Sequence, residues 1–214
     1  MTTTVTTDLT GALGPVRDQG TRSTCLAFAL SDLHRHKHKK AEILSPEYLY
    51  RAAAALTAGW QPMRGLPVVS GLAAVSSPGQ PEEKHCPYQP NEPAELPPRV
   101  PPATYPLYTA PGSQDLVSVP KLVALLQAGT PVGLVLRLSI AFFSPVNGVV
   151  AFPSPLAPTN AVHAVIAAGL GNEKSLGPCV LIRNSWGDTW GVNGNAWVPM
   201  TYVQQHGLSM FEVT

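Results

Sequence analysis

The chain has 214 residues and a mass of 22.6 kDa, long enough to bury a core without metals or disulfide staples. Lys and Arg number 14 against 13 Asp and Glu, and charged residues make up 13% of the chain against the roughly 25% of an ordinary soluble domain, which speaks against nucleic acid as the main ligand. The 23 prolines and 18 glycines amount to about 19%, below the roughly 25–30% of disordered chains, so a folded protein with much irregular backbone is expected.

The first eight residues, MTTTVTTD, lack the basic region and apolar stretch of a secretory signal, so a cytoplasmic protein is expected, or one exported by a non-classical route or held in a larger precursor. A helix is predicted over 24–40, with Ser23 or Thr24 as N-cap, an apolar face of Leu26, Phe28, Ala29, Leu30 and Leu33, and a basic last turn. The run from His34 to Lys40 reads as a solvated helix end rather than a metal or nucleic-acid site, although His34 and His38 stand four apart. Ser45, Pro46 and Glu47 open a second helix running to about Leu56 before Gly59.

A third helix is predicted over 67–77, closed by Pro78-Gly79. Twelve of the 23 prolines fall between 78 and 120, which excludes long helices there and predicts an extended strap between two lobes. A fourth helix over 119–128 stops at Gly129. Strands are then predicted over 132–138, 148–152, 163–169, 180–183 and 195–199, each short, apolar and bounded by Gly, Pro or Asn. Residues 138–172 hold no Asp, Glu, Lys or Arg, but Pro145, Pro153, Pro155 and Pro158 cut them into pieces far shorter than the roughly 20 residues a bilayer requires, and no membrane partner is expected. Helices first and strands later is an α+β pattern, without internal repeats.

Cys25, Cys86 and Cys179 are too few and too dispersed for a disulfide framework or a paired-ligand zinc site. Cys25 falls in the first turn of the first predicted helix, where the dipole and unpaired amides favour thiolate, which makes it a candidate nucleophile. Gln19, six residues earlier and next to Gly20, has the spacing to bring a side-chain NH2 near that thiol. In isolation, a cysteine in an apolar helix is a core thiol, and His163 between Val162 and Ala164 is a buried strand histidine.

His163 stands in NAVHAVIAAG, and Asn184 in LIRNSWGDTWG, 138 and 159 positions after Cys25. The order Gln, Cys, His, Asn resembles the papain-like cysteine peptidases, in which His and Asn follow the cysteine at about 130–150 residues. The resemblance runs from GPVRDQG (14–20) through CLAF (25–28), Leu44-Ser45, Gly65-Leu66-Pro67 and Pro87-Tyr88 to the Asn-Ser-Trp-Gly block at 184–187. It implies a two-lobed papain-like fold for 1–214 as a single peptidase domain: a helical lobe to about residue 110 with the Pro-rich strap at 78–120, then an antiparallel β-barrel-like lobe over 111–214, with a cleft between Cys25 and His163. The activity implied is cysteine endopeptidase, without a metal or other cofactor.

The resemblance further implies Cys25 as nucleophile, His163 as general base and then acid, and Asn184 orienting the imidazole. Gln19 and the Cys25 amide would form the oxyanion hole, and Trp186 would shield the Asn184–His163 bond from water. Arg64, Gly65, Leu66, Pro67, Val162, Ala164 and Trp186 fall at substrate-binding positions, with Leu66, Pro67 and Ala164 lining an apolar pocket for the second residue before the cleaved bond. Departures from the family pattern are Arg22 where a cysteine is usual, Leu26 where an aromatic is usual, and Arg64 in place of the first of two glycines. The first two fit maturation in a reducing compartment. Partners implied are a peptide or protein substrate and an inhibitory pro-segment or a separate inhibitor protein; with the motif starting at Gln19, restraint by a partner, a larger parent chain or compartmental delivery is expected. Alternative readings are a catalytically silent papain-like binding or regulatory module, and a papain-fold amidase or transferase acting on non-protein amides.

Overall fold

The computed structural model describes residues 3–94 and 99–214, so Pro97 and Pro98 of the predicted strap lie outside the described residues. The chain divides into two compact units: one made of residues 3–18 and Asp115–Met210, the other of Gln19–Gln114 and Phe211–Thr214.

The second unit is built on three helices, α1 (Cys25–Lys37), α2 (Pro46–Ala55) and α3 (Val68–Ser76). Their starts follow local chemistry. Ser45 caps α2 by accepting from the Tyr48 amide at 3.0 Å, with Pro46 at the first helical position. Thr24 occupies the N-cap of α1, but its hydroxyl turns to Tyr88 instead of capping. The apolar faces converge on Leu26, Leu30, Leu33, Leu49, Tyr50, Ala53, Leu72 and Val75. Gly71 lets α3 lie against α1, since a Cβ there would meet a Leu30 methyl at 2.5 Å.

His34 is a correction: rather than lying on a solvated helix end it is fully buried, with Nδ1 3.0 Å from Gln80 Oε1. The sequence run looked solvated because Lys37, His38 and Lys39 are exposed and Arg35, His36 and Lys40 partly so; His34 alone of the run is buried, on the inward stripe with Leu30 and Leu33. The Pro-rich segment holds no α-helix among its described residues between Ser76 and Val119, as expected. Gln80 and Tyr108 exchange both backbone hydrogen bonds, at 2.8 and 2.9 Å, and the chain up to Gln114 stays with the helical unit.

The first unit is built on β3 (Val132–Arg137), β4 (Val162–Glu173), β5 (Gly177–Arg183) and β6 (Asn195–Pro199), antiparallel neighbours in that order, and β7 (Gly207–Val213), of which residues 207–210 belong to this unit, lies beside β3. A further strand, β1 (Thr3–Asp8), pairs with the second half of β4, and β2 (Gly112–Asp115) lies beyond β7. Helices α4 (Val119–Gln127), α5 (Ile140–Phe143) and α6 (Met200–His206) complete the elements. Leu122, Leu126, Leu134, Leu136, Phe142, Val165, Ile182, Val198 and Tyr202 form a continuous apolar core, so β4 is buried along most of its length.

Three expectations change here. Residues 3–18 belong with the sheet rather than with the helices, because β1 supplies a ladder to β4 from Thr3↔Glu173 to Asp8↔Gly169. The predicted strand 148–152 is instead a turn: Val146 and Val149 close it through two backbone bonds, and Asn147 and Gly148 take positive φ. The chain after Pro199 continues as α6 and β7. No helix among the described residues is long and apolar enough to cross a membrane.

Candidate active site

The helical unit carries Cys25 and Gln19. Cys25 is the first residue of α1 and partly exposed, at the end where backbone amides lack intrahelical partners and the dipole favours negative charge. Cys86 and Cys179 are buried, and burial pushes both thiols up. None of the three thiols is in a disulfide. The turn before α1 bends at Gly20, with φ +60°. Gln19 is 6% exposed, and its Nε2 donates to the Arg22 carbonyl at 2.7 Å.

The Gln19 carbonyl accepts from the Tyr88 hydroxyl at 2.7 Å. Since that uses the only Tyr88 hydroxyl hydrogen, the Thr24 hydroxyl donates in the 2.9 Å contact between Thr24 Oγ1 and Tyr88 Oη. Ser23 Oγ donates to the Met63 carbonyl at 2.8 Å, and the Cβ position of Gly65 lies 3.7 Å from the Ser23 carbonyl. Ser23, two residues before Cys25, thus meets the 63–65 turn, where Gly65 and Leu66 are partly buried and Arg64 and Pro67 exposed.

The sheet unit carries His163 and Asn184. His163 lies on β4, opposite Leu136 of β3, and is 5% exposed. Asn184 follows the last residue of β5, and its amide donates to the Gly194 carbonyl at 3.0 Å. Gly191 makes the return possible: it has φ +63°, and a Cβ there would stand 2.2 Å from the Asn195 carbonyl oxygen. His163 Nε2 and Asn184 Oδ1 are 2.7 Å apart.

The tautomer follows from the neighbours. The Ser185 amide donates to Asn184 Oδ1 at 2.8 Å, which identifies that atom as oxygen. An oxygen acceptor facing His163 Nε2 requires the proton there, so in the neutral ring the lone pair is on Nδ1. Trp186 covers the pair, its ring centroid 4.5 Å from that of His163, and Phe143 stacks on Trp186 at 5.6 Å. Phe142 meets His163 and Trp186 edge-on at 6.4 and 5.9 Å, and Trp190 Nε1 donates to the Phe142 carbonyl at 2.9 Å. Val162 is exposed, and Ala164 is buried at 5% exposure.

Sequence reasoning missed two supports. One is the aromatic pair Phe142 and Phe143, whose signal is a short aromatic run after Ser139 in a stretch read only as buried strands and loops. The other is the set of partners around Arg22, which stood out only as a departure from a family pattern. Its guanidinium is 2% exposed and bonded to Glu47 Oε2 at 2.5 Å and the Gln89 carbonyl at 2.6 Å.

The chain is similar to xylellain, a cysteine protease from Xylella fastidiosa, at 21% identity and TM-score 0.80, covering 97% of this chain and 85% of that one. It is similar to a cysteine protease of Carica candamarcensis solved in complex with E-64, at 22% identity and TM-score 0.75, covering 97% and 96%. A clostridial cysteine protease solved after propeptide cleavage matches at 18% identity and TM-score 0.72, covering 95% of this chain and 55% of that one. These likenesses show the papain-like α+β fold. The sequence pattern described as papain family cysteine protease matches residues 4–213, and the chain therefore belongs to the papain family of cysteine proteases.

Proposed function

We propose that this chain is a cysteine endopeptidase in which Cys25 is the nucleophile and His163 the general base and acid. The observation that carries the reading is the buried 2.7 Å bond between His163 Nε2 and Asn184 Oδ1, which leaves the Nδ1 lone pair of the neutral ring as the proton acceptor.

In this reading the Cys25 sulfur attacks the carbonyl carbon of a peptide bond, its proton having passed to His163 Nδ1. The tetrahedral intermediate collapses as the C–N bond breaks, and the imidazolium gives its proton to the leaving amine. A water molecule, losing a proton to His163, then hydrolyses the thioester and frees the thiol. The Gln19 side-chain amide and the Cys25 backbone amide are the proposed oxyanion donors, each worth about 3–4 kcal/mol in comparable sites. Asn184 holds the ring without adding negative charge, and Trp186 keeps water from that bond. Leu66, Pro67, Val162 and Ala164 are proposed to contact substrate, favouring an apolar second residue before the cleaved bond. An inhibitory pro-segment or separate inhibitor protein is the proposed means of restraint. The clostridial relative solved after propeptide cleavage supports it.

The test uses the purified chain, a library of peptides blocked at both ends, and labelling by an epoxysuccinyl inhibitor mapped by mass spectrometry. Internal cleavage and a single label on Cys25 are expected, both abolished in Cys25→Ala. Hydrolysis surviving that substitution, or a label on Cys86 or Cys179, overturns the assignment. Absence of labelling points to a silent binding module, and labelling without peptide cleavage to a non-peptide amide.

A further inference from the structure

We propose that Arg22 is a positioning residue, whose buried side chain fixes the orientation of the Gln19 amide at the start of α1; the proposal rests on the peptidase reading above. Arg22 is fixed to Gln19 by two routes. Directly, its carbonyl oxygen holds one hydrogen of the Gln19 side-chain amide at 2.7 Å, which sets the plane of that amide and so the direction of its second N–H. Indirectly, its Nη1 donates to the Gln89 carbonyl at 2.6 Å, and its guanidinium lies 5.0 Å from the centre of the Tyr88 ring. The Tyr88 hydroxyl in turn reaches the Gln19 carbonyl and the Thr24 hydroxyl at the N-cap of α1. The two routes close a ring through Gln19, Arg22, Gln89 and Tyr88.

What holds that ring is α2. Glu47, 1% exposed in its first turn, binds Arg22 Nη1 through Oε2 and Arg51 Nε through Oε1 at 2.7 Å, and accepts from the Gln89 amide at 3.3 Å. Arg22 Nη2 reaches Glu92 Oε2 at 3.4 Å, and the guanidinium also lies 4.8 Å from the Tyr50 ring centre. A planar fork that binds a carboxylate and a carbonyl while stacking between two aromatic rings is a role for arginine that lysine does not fill. The residues from Gln19 to Thr24 belong to no helix or long ladder, so this side-chain network takes the place of secondary structure in holding them.

The test compares wild type, Arg22→Met, Tyr88→Phe, Gln19→Ala and the Arg22→Met/Gln19→Ala double variant on a peptide amide. Alkylation of Cys25 by iodoacetamide is followed in parallel, because it needs the thiolate and no oxyanion donor. Arg22→Met is expected to lower kcat about 10- to 100-fold with KM and alkylation within about 3-fold, and the double variant to be no more than about 3-fold slower than Gln19→Ala. Tyr88→Phe, which keeps the ring and loses only the hydroxyl, is expected to lower kcat about 3- to 10-fold with the fold intact, and it serves if Arg22→Met does not fold. Multiplying rather than overlapping losses for Arg22→Met and Gln19→Ala, or wild-type kcat in folded Arg22→Met and Tyr88→Phe, overturns the proposal.

Hydrogen exchange at the Gln19 side-chain amide, read by NMR, judges Arg22 apart from activity. Faster exchange in Arg22→Met and Tyr88→Phe is expected, and unchanged exchange in both refutes the positioning role. A wild-type chain that neither cleaves nor labels refutes the peptidase reading instead.

Discussion

Replacing His34 with Gln is expected to remove a large part of the acid sensitivity of the helical unit. In the folded chain Gln80 Nε2 donates to Ser31 Oγ and, at 2.7 Å, to the Ser45 carbonyl, which leaves Gln80 Oε1 facing His34 Nδ1. The ring therefore carries its proton on Nδ1, and charging it means placing a second proton on Nε2, a buried atom without a hydrogen-bond partner among the described residues. Burial, followed by the nearby His38, pushes the imidazole down to about 4 from 6.5, against the opposing bond to Gln80. A depressed folded pKa means that the unfolded chain binds the proton first, so the contribution is complete above about pH 6.5 and is lost as the pH falls toward 4. Proton linkage between those values gives a loss of about 2 kcal/mol from pH 7 to pH 5 and about 3 kcal/mol from pH 7 to pH 4. The assay is urea unfolding at pH 7 and pH 5 in a Cys25→Ser background that prevents self-digestion, with and without His34→Gln. The stability difference between the two proteins should shift by about 2 kcal/mol in favour of His34→Gln on going to pH 5. A difference constant to within about 0.5 kcal/mol would refute the argument that His34 is the group titrating.

Asn184→Ala removes the acceptor 2.7 Å from His163 Nε2, and a charge-assisted bond of about 1.5–3 kcal/mol corresponds to a fall of roughly 10- to 100-fold in kcat/KM, with far-UV dichroism unchanged. A loss below about 3-fold would mean that the aromatic packing alone holds the ring. Gly191→Ala puts a methyl 2.2 Å from the Asn195 carbonyl oxygen at a φ of +63° and is expected to cost more than about 2 kcal/mol, seen calorimetrically as a Tm lower by about 4 °C or more.

The sequence exposes those parts of the fold in which local chemistry and tertiary packing agree. Ser45-Pro46-Glu47 starts α2 because cap, fixed φ and acidic first turn all act within four residues, and the uncharged stretch at 138–172 holds all of β4 but its last residue because a strand buried along most of its length disfavours charge, the terminal buried Glu173 being satisfied by the Ser175 and Leu176 amides. By contrast, β1 is four threonines, a valine and an aspartate, mostly exposed; its β-branched residues suit a strand, but no apolar alternation marks a buried face, and pairing with β4 is what makes it one. The candidate site divides in the same way. Gln19, Cys25, His163 and Asn184 are legible through their order and spacing, since chemistry fixes the residue types. Arg22, Glu47 and Tyr88 lie 25 and 41 residues apart along the chain, and no spacing rule connects a buried guanidinium to the carboxylate that neutralises it.

The two units hold their functional side chains by different physics. His163 is placed by the ladder of β4 with β3: in a two-residue repeat a slip of one position would turn it to the opposite face together with every apolar neighbour. Its position is therefore tied to the whole sheet core, and conservative apolar changes around it should be absorbed as long as the register stands. Gln19 has no such ladder. The Arg22 carbonyl holds its side chain and the Tyr88 hydroxyl its backbone, with an ion pair behind them, and a buried ion pair is intolerant of losing either partner, at about 3–5 kcal/mol, while its replacement as a pair by apolar residues can be nearly neutral. It follows that a chain replacing Arg22 and Glu47 together with well-packed apolar residues can keep its stability and still lose the fixed amide plane at Gln19, because packing supplies volume without supplying the donors that pin Gln89 and, through it, Tyr88.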